Sequence, residues 1–530
     1  MHALTRIALA VSLLGAATLA QAKPLVVCTE ASPEGFDIAQ YTAATTADAS
    51  AETLFDRLVD FKPGTTDIEP GLAERWDVSE DGMTYTFHLR KGVKFQTTDY
   101  FKPTREFNAD DVMWSFMRQY DAKHTWHDKA QHGFPYFEAM GLQNLIKSID
   151  KVDDYTIRFV LNRPEAPFLR DMAMGFASIY SAEYAAQLEK AGQFDQLNFK
   201  PVGTGPFIFS RYTKDAQVRF KANPEYFEGK PPADGLVLAI TLDSNVRLQR
   251  VRAGECQVGV YPKPDDIPAI RKDPNLKLAE GEALLIAYVA MNTEHKPLND
   301  VRIRQALNLA FDKNAYIKAL FGEGNAVPAV NPYPSTLLGY NRDIQDWPYD
   351  PEKARALLKE AGMEKGLKLT VFTRSGGGPT NPNPALGAQM LQADLAKVGV
   401  QLDIRNLEWG ELIRRAKQGE HDLLFFGWAG DNGDPDNFLT PNLSCDAAKS
   451  GENSARWCNK EFNALLDKAR TSQDENERAE LYKQAQVIFH NDAPWIPLAY
   501  PKLFNVMRSN VEGYHLSPLA NNNFATTYAK

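Results

Sequence analysis

The sequence predicts an α/β protein built from more than one compact unit. Three observations point there: a length of 530 residues, against about 100 to 200 per domain; strand-and-turn patterns through the first half; and a strand–helix alternation from about residue 285 onward. Apolar residues make 44% of the chain and charged residues 24%, so a large core can form and wholesale disorder is excluded. The formal net charge of −9 leaves no basic footprint for phosphate binding, which argues against a nucleic-acid partner.

Taken in order, residues 1–22 read MHALTRIALAVSLLGAATLAQA. Arg6, the apolar run from Ile7 to Leu19 and the small-residue end Ala20-Gln21-Ala22 have the pattern of a secretory signal peptide, cleaved before Lys23. No Cys stands at the cleavage point, so no lipid anchor is expected. No later run of about 18 apolar residues could cross a bilayer as a helix. The expected product is exported and soluble.

Residues 24–28, PLVVC, predict a first strand ending at the turn formers Ser32-Pro33-Glu34-Gly35. In WDVSEDGMTYTFHLRKGVKF, Asp81-Gly82 supplies a hairpin turn, and Tyr85, Phe87 and Leu89 alternate with Thr84, Thr86 and His88 as a half-buried strand. KVDDYTIRFVL repeats that pattern around Asp153-Asp154. A helix is expected after Asn108-Ala109-Asp110-Asp111.

Past residue 285 the period lengthens. VRIRQALNLAFDKNAYIKALF puts Ile303, Leu307, Ala310, Ile317 and Leu320 on one helical stripe. Asp350-Pro351-Glu352 reads as an N-cap followed by Pro at the first helical position, with the helix ending at Gly362. A β-α-β alternation follows: strand 367–372, helix 385–397, strand 400–406, helix 409–417 and strand 423–428. In such sheets ligands gather beyond the carboxyl ends of the strands, which selects the segments RSGGGPTNPN and AGDNGDPDN.

The second of these sets three carboxylates directly after an apolar strand, with Gly430 and Gly433 expected to let a ligand approach the backbone. An EF-hand loop is a poor fit, because its sixth and twelfth positions hold Asp436 and Asn442. A single carboxylate in a cleft suits an ammonium group, since charge-assisted bonds strengthen when water is excluded. RSGGGPTNPN matches no phosphate fingerprint. In HTWHDKAQH, His124, His127, His132 and Asp128 match no closed metal site, so a solvated loop is expected and no metal or cofactor. Trp409, at a helix start, and Trp428, at a strand end, flank the acidic loop as core or as cleft lining. No G-x-S-x-G, H-E-x-x-H or papain-like Cys segment is present, which argues against a hydrolase.

Four cysteines, Cys28, Cys256, Cys445 and Cys458, allow three pairings and form no C-x-x-C motif. The short polar segment between Cys445 and Cys458 favours bridging those two, worth about 3 kcal/mol in loop entropy. Cys28 is left with Cys256.

In their order along the chain, ASPEGFD (31–37), PGLAERWDVSEDGMTYTFHLRKGVKF (70–95), NADDV (108–112), VGTGPF (202–207), VRIRQALNLAFDK (301–313), YDPEKARALLKEAG (349–362), EWGELIRRAKQGEH (408–421) and GWAGDNGDPDNF (427–438) resemble one family. It is that of the periplasmic solute-binding proteins of the peptide/nickel group serving ABC importers, dipeptide-binding proteins above all. The resemblance implies a two-lobed periplasmic-binding-protein fold, type II-like and of cluster C, with an extra β-rich subdomain in the first lobe. Lobe I would hold 23–283 and 501–530, and lobe II 284–500, closing on a two-strand hinge. It implies the same two disulfides. Asp431 resembles the carboxylate that holds a peptide α-ammonium, and Trp409 and Trp428 the cleft tryptophans. The backbones of Trp428, Ala429 and Gly430, and of Thr42, Ala43 and Ala44, resemble segments that pair with a peptide main chain.

The chain departs from that pattern at one point. Dipeptide-specific relatives carry an Arg in the loop after the first strand of the β-α-β series, where this chain has Gly378, beside Gly377; Arg374 is the nearby cation. A ligand longer than a dipeptide, such as a tripeptide, is therefore expected. The resulting expectation is a non-enzymatic, monomeric periplasmic receptor for short peptides with an inner-membrane ABC permease as partner. The alternative is haem, glutathione or another small solute on the same scaffold.

Overall fold

A computed structural model describes residues 23–364 and 366–530; the expected signal peptide lies outside the described residues. Among those residues, 12 strands join one mixed sheet that runs through both halves of the molecule, and a separate sheet of 4 strands stands apart from it.

The first half is organised by Leu25–Thr29, which pairs in parallel with Gly235–Ile240 and with Val258–Val260. Gly235–Ile240 is buried throughout, as an unbroken apolar run between two covered faces requires. The expected hairpin forms from Ala73–Val78 and Thr84–Leu89, with Gly82 at φ 67° in the turn, where a residue without a Cβ is favoured. Tyr85, Phe87 and Leu89 face the core. Ile146–Asp153 and Thr156–Leu161 complete this antiparallel sheet, which is the extra β-rich subdomain. Helix Ala109–Tyr120 starts at Asn108, whose side chain accepts from the Asp110 amide while the Asp111 carboxylate accepts from the Asn108 amide.

In the second half, Leu367–Arg374 lies between Val400–Leu407 and Leu423–Ala429, both parallel to it, with helices Pro384–Ala396 and Trp409–Lys417 as the crossovers. Successive residues alternate between two cores: Val371 and Phe425 face one, Phe372 and Leu424 the other. The single stripe expected over 303–320 is corrected to two helices, Val301–Ala310 and Lys313–Phe321. Phe311 is extended, and the Asp312 side chain accepts from the Ala315 amide. Asp312 therefore starts a new helix instead of continuing the old one.

Strand Trp495–Arg508 joins the halves. Its first part pairs with Leu285–Met291 and its second with Leu276–Glu282. The chain thus passes from one half to the other at two adjacent places, between Glu282 and Leu285 and again near Pro501. This is a two-lobed α/β binding-protein fold. Both expected disulfides are present, Cys28–Cys256 and Cys445–Cys458.

Candidate ligand cleft

Strand Leu423–Ala429 supplies the cleft with an unfinished edge. It pairs with Leu285–Met291 along its whole length, but with Leu367–Arg374 only at Leu423 and Leu424. From Phe425 to Ala429 one side of the ladder has no strand partner among the described residues, and backbone groups left that way seek hydrogen bonds elsewhere.

The acidic loop follows directly, and its three carboxylates differ in their partners. Asp434 takes two hydrogen bonds from Arg478, at 2.9 and 2.8 Å. Asp436 lies 3.7 Å from Arg470 and accepts from Thr440 at 2.5 Å. Asp431 has no salt-bridge partner among the described residues. Its Oδ1 accepts from the Tyr136 hydroxyl at 2.9 Å and its Oδ2 from Asn437 Nδ2 at 3.4 Å. The same Asn437, through Oδ1, accepts from the Asp431 amide at 2.9 Å and from Trp428 Nε1 at 3.3 Å. Asp431 and Trp428 are thus held together through one amide side chain. Burial without a cation pushes the Asp431 carboxyl up to about 6, and the bonds from Tyr136 and Asn437 only partly offset it. Such a carboxylate gains most from a cationic ligand.

The glycines of this loop serve packing. A Cβ on Gly430 would meet the Phe438 ring at 2.5 Å, and one on Gly433 would meet Thr66 at 2.6 Å. That corrects the expectation that they make room for a ligand: protein atoms fill the space. The Gly430 amide donates to the Leu284 carbonyl at 2.7 Å.

A second group forms around Arg374. Its guanidinium lies 4.5 Å over the Trp409 ring, and Trp409 stacks in turn on Phe426 at 5.7 Å. Glu408 caps this helix through the Gly410 and Glu411 amides, which leaves Trp409 at its first position and 42% exposed. A Cβ on Gly378 would sit 3.1 Å from Arg374 Nη1, so the missing side chain gives the guanidinium its place. Arg374 donates to the Gly377 carbonyl at 3.3 Å, and its Nε is buried without a partner. Burial lowers the guanidinium from its usual range, while Glu30 and Glu408 draw it back. Glu30 follows the first strand of the other half, so this attraction crosses the cleft.

Thr42, Ala43 and Ala44 lie at the start of the short helix Ala44–Ala49, with Ala43 as its N-cap and Thr42 and Ala44 exposed. Among the described residues no hydrogen bond joins them to the acidic loop. The histidine-rich segment is committed to its own fold. His124 Nδ1 accepts from the Trp126 amide at 3.2 Å, and His127 Nδ1 bonds the Arg118 carbonyl at 2.9 Å. Among the described residues no three His, Cys, Asp or Glu side chains are grouped to hold a metal.

Tyr136, Asn437 and Glu30 are site residues that the sequence reading missed. Asn437 falls within the motif and was open to recognition as a side chain able to bond back to the loop; Tyr136, distant in sequence, gave no signal.

The family model for bacterial extracellular solute-binding proteins, family 5, matches residues 67–450. The chain belongs to this family. Family 5 proteins bind solutes without transforming them, and this member is not an enzyme. It is 68% identical to Di/tripeptide-binding protein 4 of Pseudomonas aeruginosa (strain UCBPP-PA14), over 100% of both chains. It is 47% identical to Heme-binding protein A of Haemophilus influenzae, over 93% of this chain and 90% of that protein. Among solved structures it resembles the periplasmic binding protein DppA of Helicobacter pylori in complex with the peptide STSA. That match has 40% identity and a TM-score of 0.89, and covers 95% of this chain and 98% of the other.

Proposed function

We propose that this family 5 protein is a periplasmic receptor that captures di- and tripeptides, with the tripeptide favoured, and delivers them to an inner-membrane ABC permease. The observation that carries the reading is Asp431, the one carboxylate of its loop with no cation beside it among the described residues, at the end of an unfinished strand edge. The α-ammonium of a peptide supplies the missing charge. The edge from Phe425 to Ala429 bonds the peptide backbone, which gives affinity without reading side chains. Trp428 and Trp409 line the path between the two ends, and the exposed Thr42–Ala44 segment meets the ligand from the other lobe. Arg374, resting where Gly378 leaves space, takes the terminal carboxylate. The names of the relatives agree: one is a di/tripeptide-binding protein and another was solved with a peptide longer than a dipeptide.

In this reading lobe I comprises 23–283 and 501–530 and lobe II 284–500, and residues 1–22 direct export across the inner membrane of a Gram-negative cell. The lobes close as rigid bodies about the two crossings. The haem alternative draws no support from the histidine loop, whose His124 and His127 are engaged in local bonds.

The ionised form of Asp431 is the one that binds an ammonium. Burial holds its carboxyl at about 6 and a peptide α-ammonium loses its proton at about pH 8, so peptide affinity is greatest near pH 7. It falls as pH drops through 6, by up to about tenfold per unit. Calorimetric titration of trialanine from pH 5 to 7 checks this, with Asp431→Asn as the control that loses the dependence over that range. Equal affinity at pH 5 and pH 7 contradicts the assignment.

A further inference from the structure

The loop that holds Asp431 also ties the two lobes together. Asn432, the next residue, donates Nδ2 to Asp171 Oδ1 at 2.7 Å, and both side chains are nine-tenths buried, 2% and 5% exposed. Asp171 stands on helix Phe168–Met172, in the opposite lobe. Arg470 Nε donates to Glu165 Oε1 at 2.8 Å, and the Ala166 amide returns a bond to the Arg470 carbonyl at 2.8 Å. The same guanidinium lies 3.7 Å from Asp436 in its own lobe. Glu165 is also held by Arg163 at 3.0 Å.

We infer that Asp171, Glu165, Asn432 and Arg470 form a latch between the lobes that sets how long a bound ligand stays, without touching it. The inference rests on the receptor reading above, and it names what regulates that site. When the lobes part, all four groups face water and cost nothing unpaired. When they close, four carboxylates, Asp171 and Glu165 from one lobe and Asp434 and Asp436 from the other, come together in a buried space. Asp434 is neutralised by Arg478 within its own lobe. Arg163 offsets part of Glu165 from its own lobe, and Arg470 is the cation that joins carboxylates of the two lobes, bridging Glu165 and Asp436. Asp171 has a neutral partner only, Asn432, and burial with Glu165, Asp436 and Asp434 nearby raises its carboxyl well above the usual range. The closed state therefore depends on Arg470 and is opposed by the charge of Asp171, while the hydrogen bond from Asn432 needs only an oxygen at that position.

Two substitutions should act with opposite signs. Arg470→Met leaves buried carboxylates uncompensated only in the closed state. Dissociation of trialanine should accelerate at least about tenfold with little change in association rate, and the radius of gyration of the ligand-free protein should increase. Asp171→Asn keeps the bonded oxygen and removes the opposing charge, so dissociation should slow about threefold or more and the ligand-free protein should become more compact. A merely structural role gives no slower dissociation in either variant. Stopped-flow kinetics and small-angle X-ray scattering read both quantities. Should Arg470→Met fail to fold, Asp171→Asn decides alone: dissociation as fast as wild type or faster overturns the latch. If trialanine does not bind the wild type, the peptide reading fails, and the scattering still tests the latch. An identical radius of gyration for wild type and Asp171→Asn then overturns it.

Discussion

Asp431→Asn is expected to lower the affinity for a tripeptide with a free amine by about 100- to 1,000-fold, roughly 3 to 4 kcal/mol, while making the empty protein more stable. The two effects have one cause. A buried carboxylate with no cation penalises the folded, unliganded state, and the ligand's ammonium removes that penalty on binding. Its pKa in the folded protein is raised, from 3.8 to about 6. Asp431 thus costs the folded protein nothing well below pH 4, progressively more as pH rises from 4 to 6, and its full penalty above that. At neutral pH the asparagine, which keeps an oxygen to accept from Tyr136, should raise the melting temperature of the empty chain by a few degrees. Calorimetry measures the lost affinity and thermal unfolding the gained stability. Lower stability and lower affinity together would mean that Asp431 serves the fold.

Arg374 is expected to govern the other end. Arg374→Gln should weaken binding of trialanine by about 10- to 100-fold, the scale of losing one charge-assisted partner. It should leave unchanged the weaker binding of the peptide's C-terminal amide, which the wild type disfavours. The converse variant, Gly378→Arg, places a second long cation where Arg374 Nη1 lies 3.1 Å from the built Cβ. It should displace Arg374 from the Trp409 ring and shift the dialanine-to-trialanine preference toward dialanine about tenfold or more. Competition titrations with the acid and amide forms measure both. If the wild type does not distinguish acid from amide, Arg374 does not receive the carboxylate.

Much of this architecture was legible in the sequence where local rules and tertiary context agree. Asp81-Gly82 marked a hairpin because that turn needs positive φ, and the alternation from Leu367 to Trp428 marked a parallel sheet because strands joined through a helix return in the same direction. The stripe through Ile303 and Leu320 misled because hydrophobic spacing survives a break, whereas Asp312 restarts the helix by bonding its own backbone. The joining strand, WIPLAYPKLFNVMR, carries Pro497 and Pro501 and did not read as a strand at all. Its pairing with Leu285–Met291 shifts register between Ala287 and Tyr288, beside Pro497. At the site, Asp431 was readable from its place after an apolar strand. Its electrostatic state was not, because that depends on which of three neighbouring carboxylates the arginines take. Tyr136 is 295 residues away from Asp431 and Asp171 is 261 residues from Asn432; only the packing of the two halves against each other brings them into contact.

Capture requires a peptide amine to meet Asp431, and the most direct measurement is calorimetry of wild-type protein with trialanine and with N-acetyl-trialanine, side by side at pH 7.5. Acetylation removes the positive charge and leaves the backbone, the side chains and the carboxylate in place. The expected result is binding of the free amine and loss of at least about 100-fold for the acetylated peptide. Equal affinity for the two would contradict it.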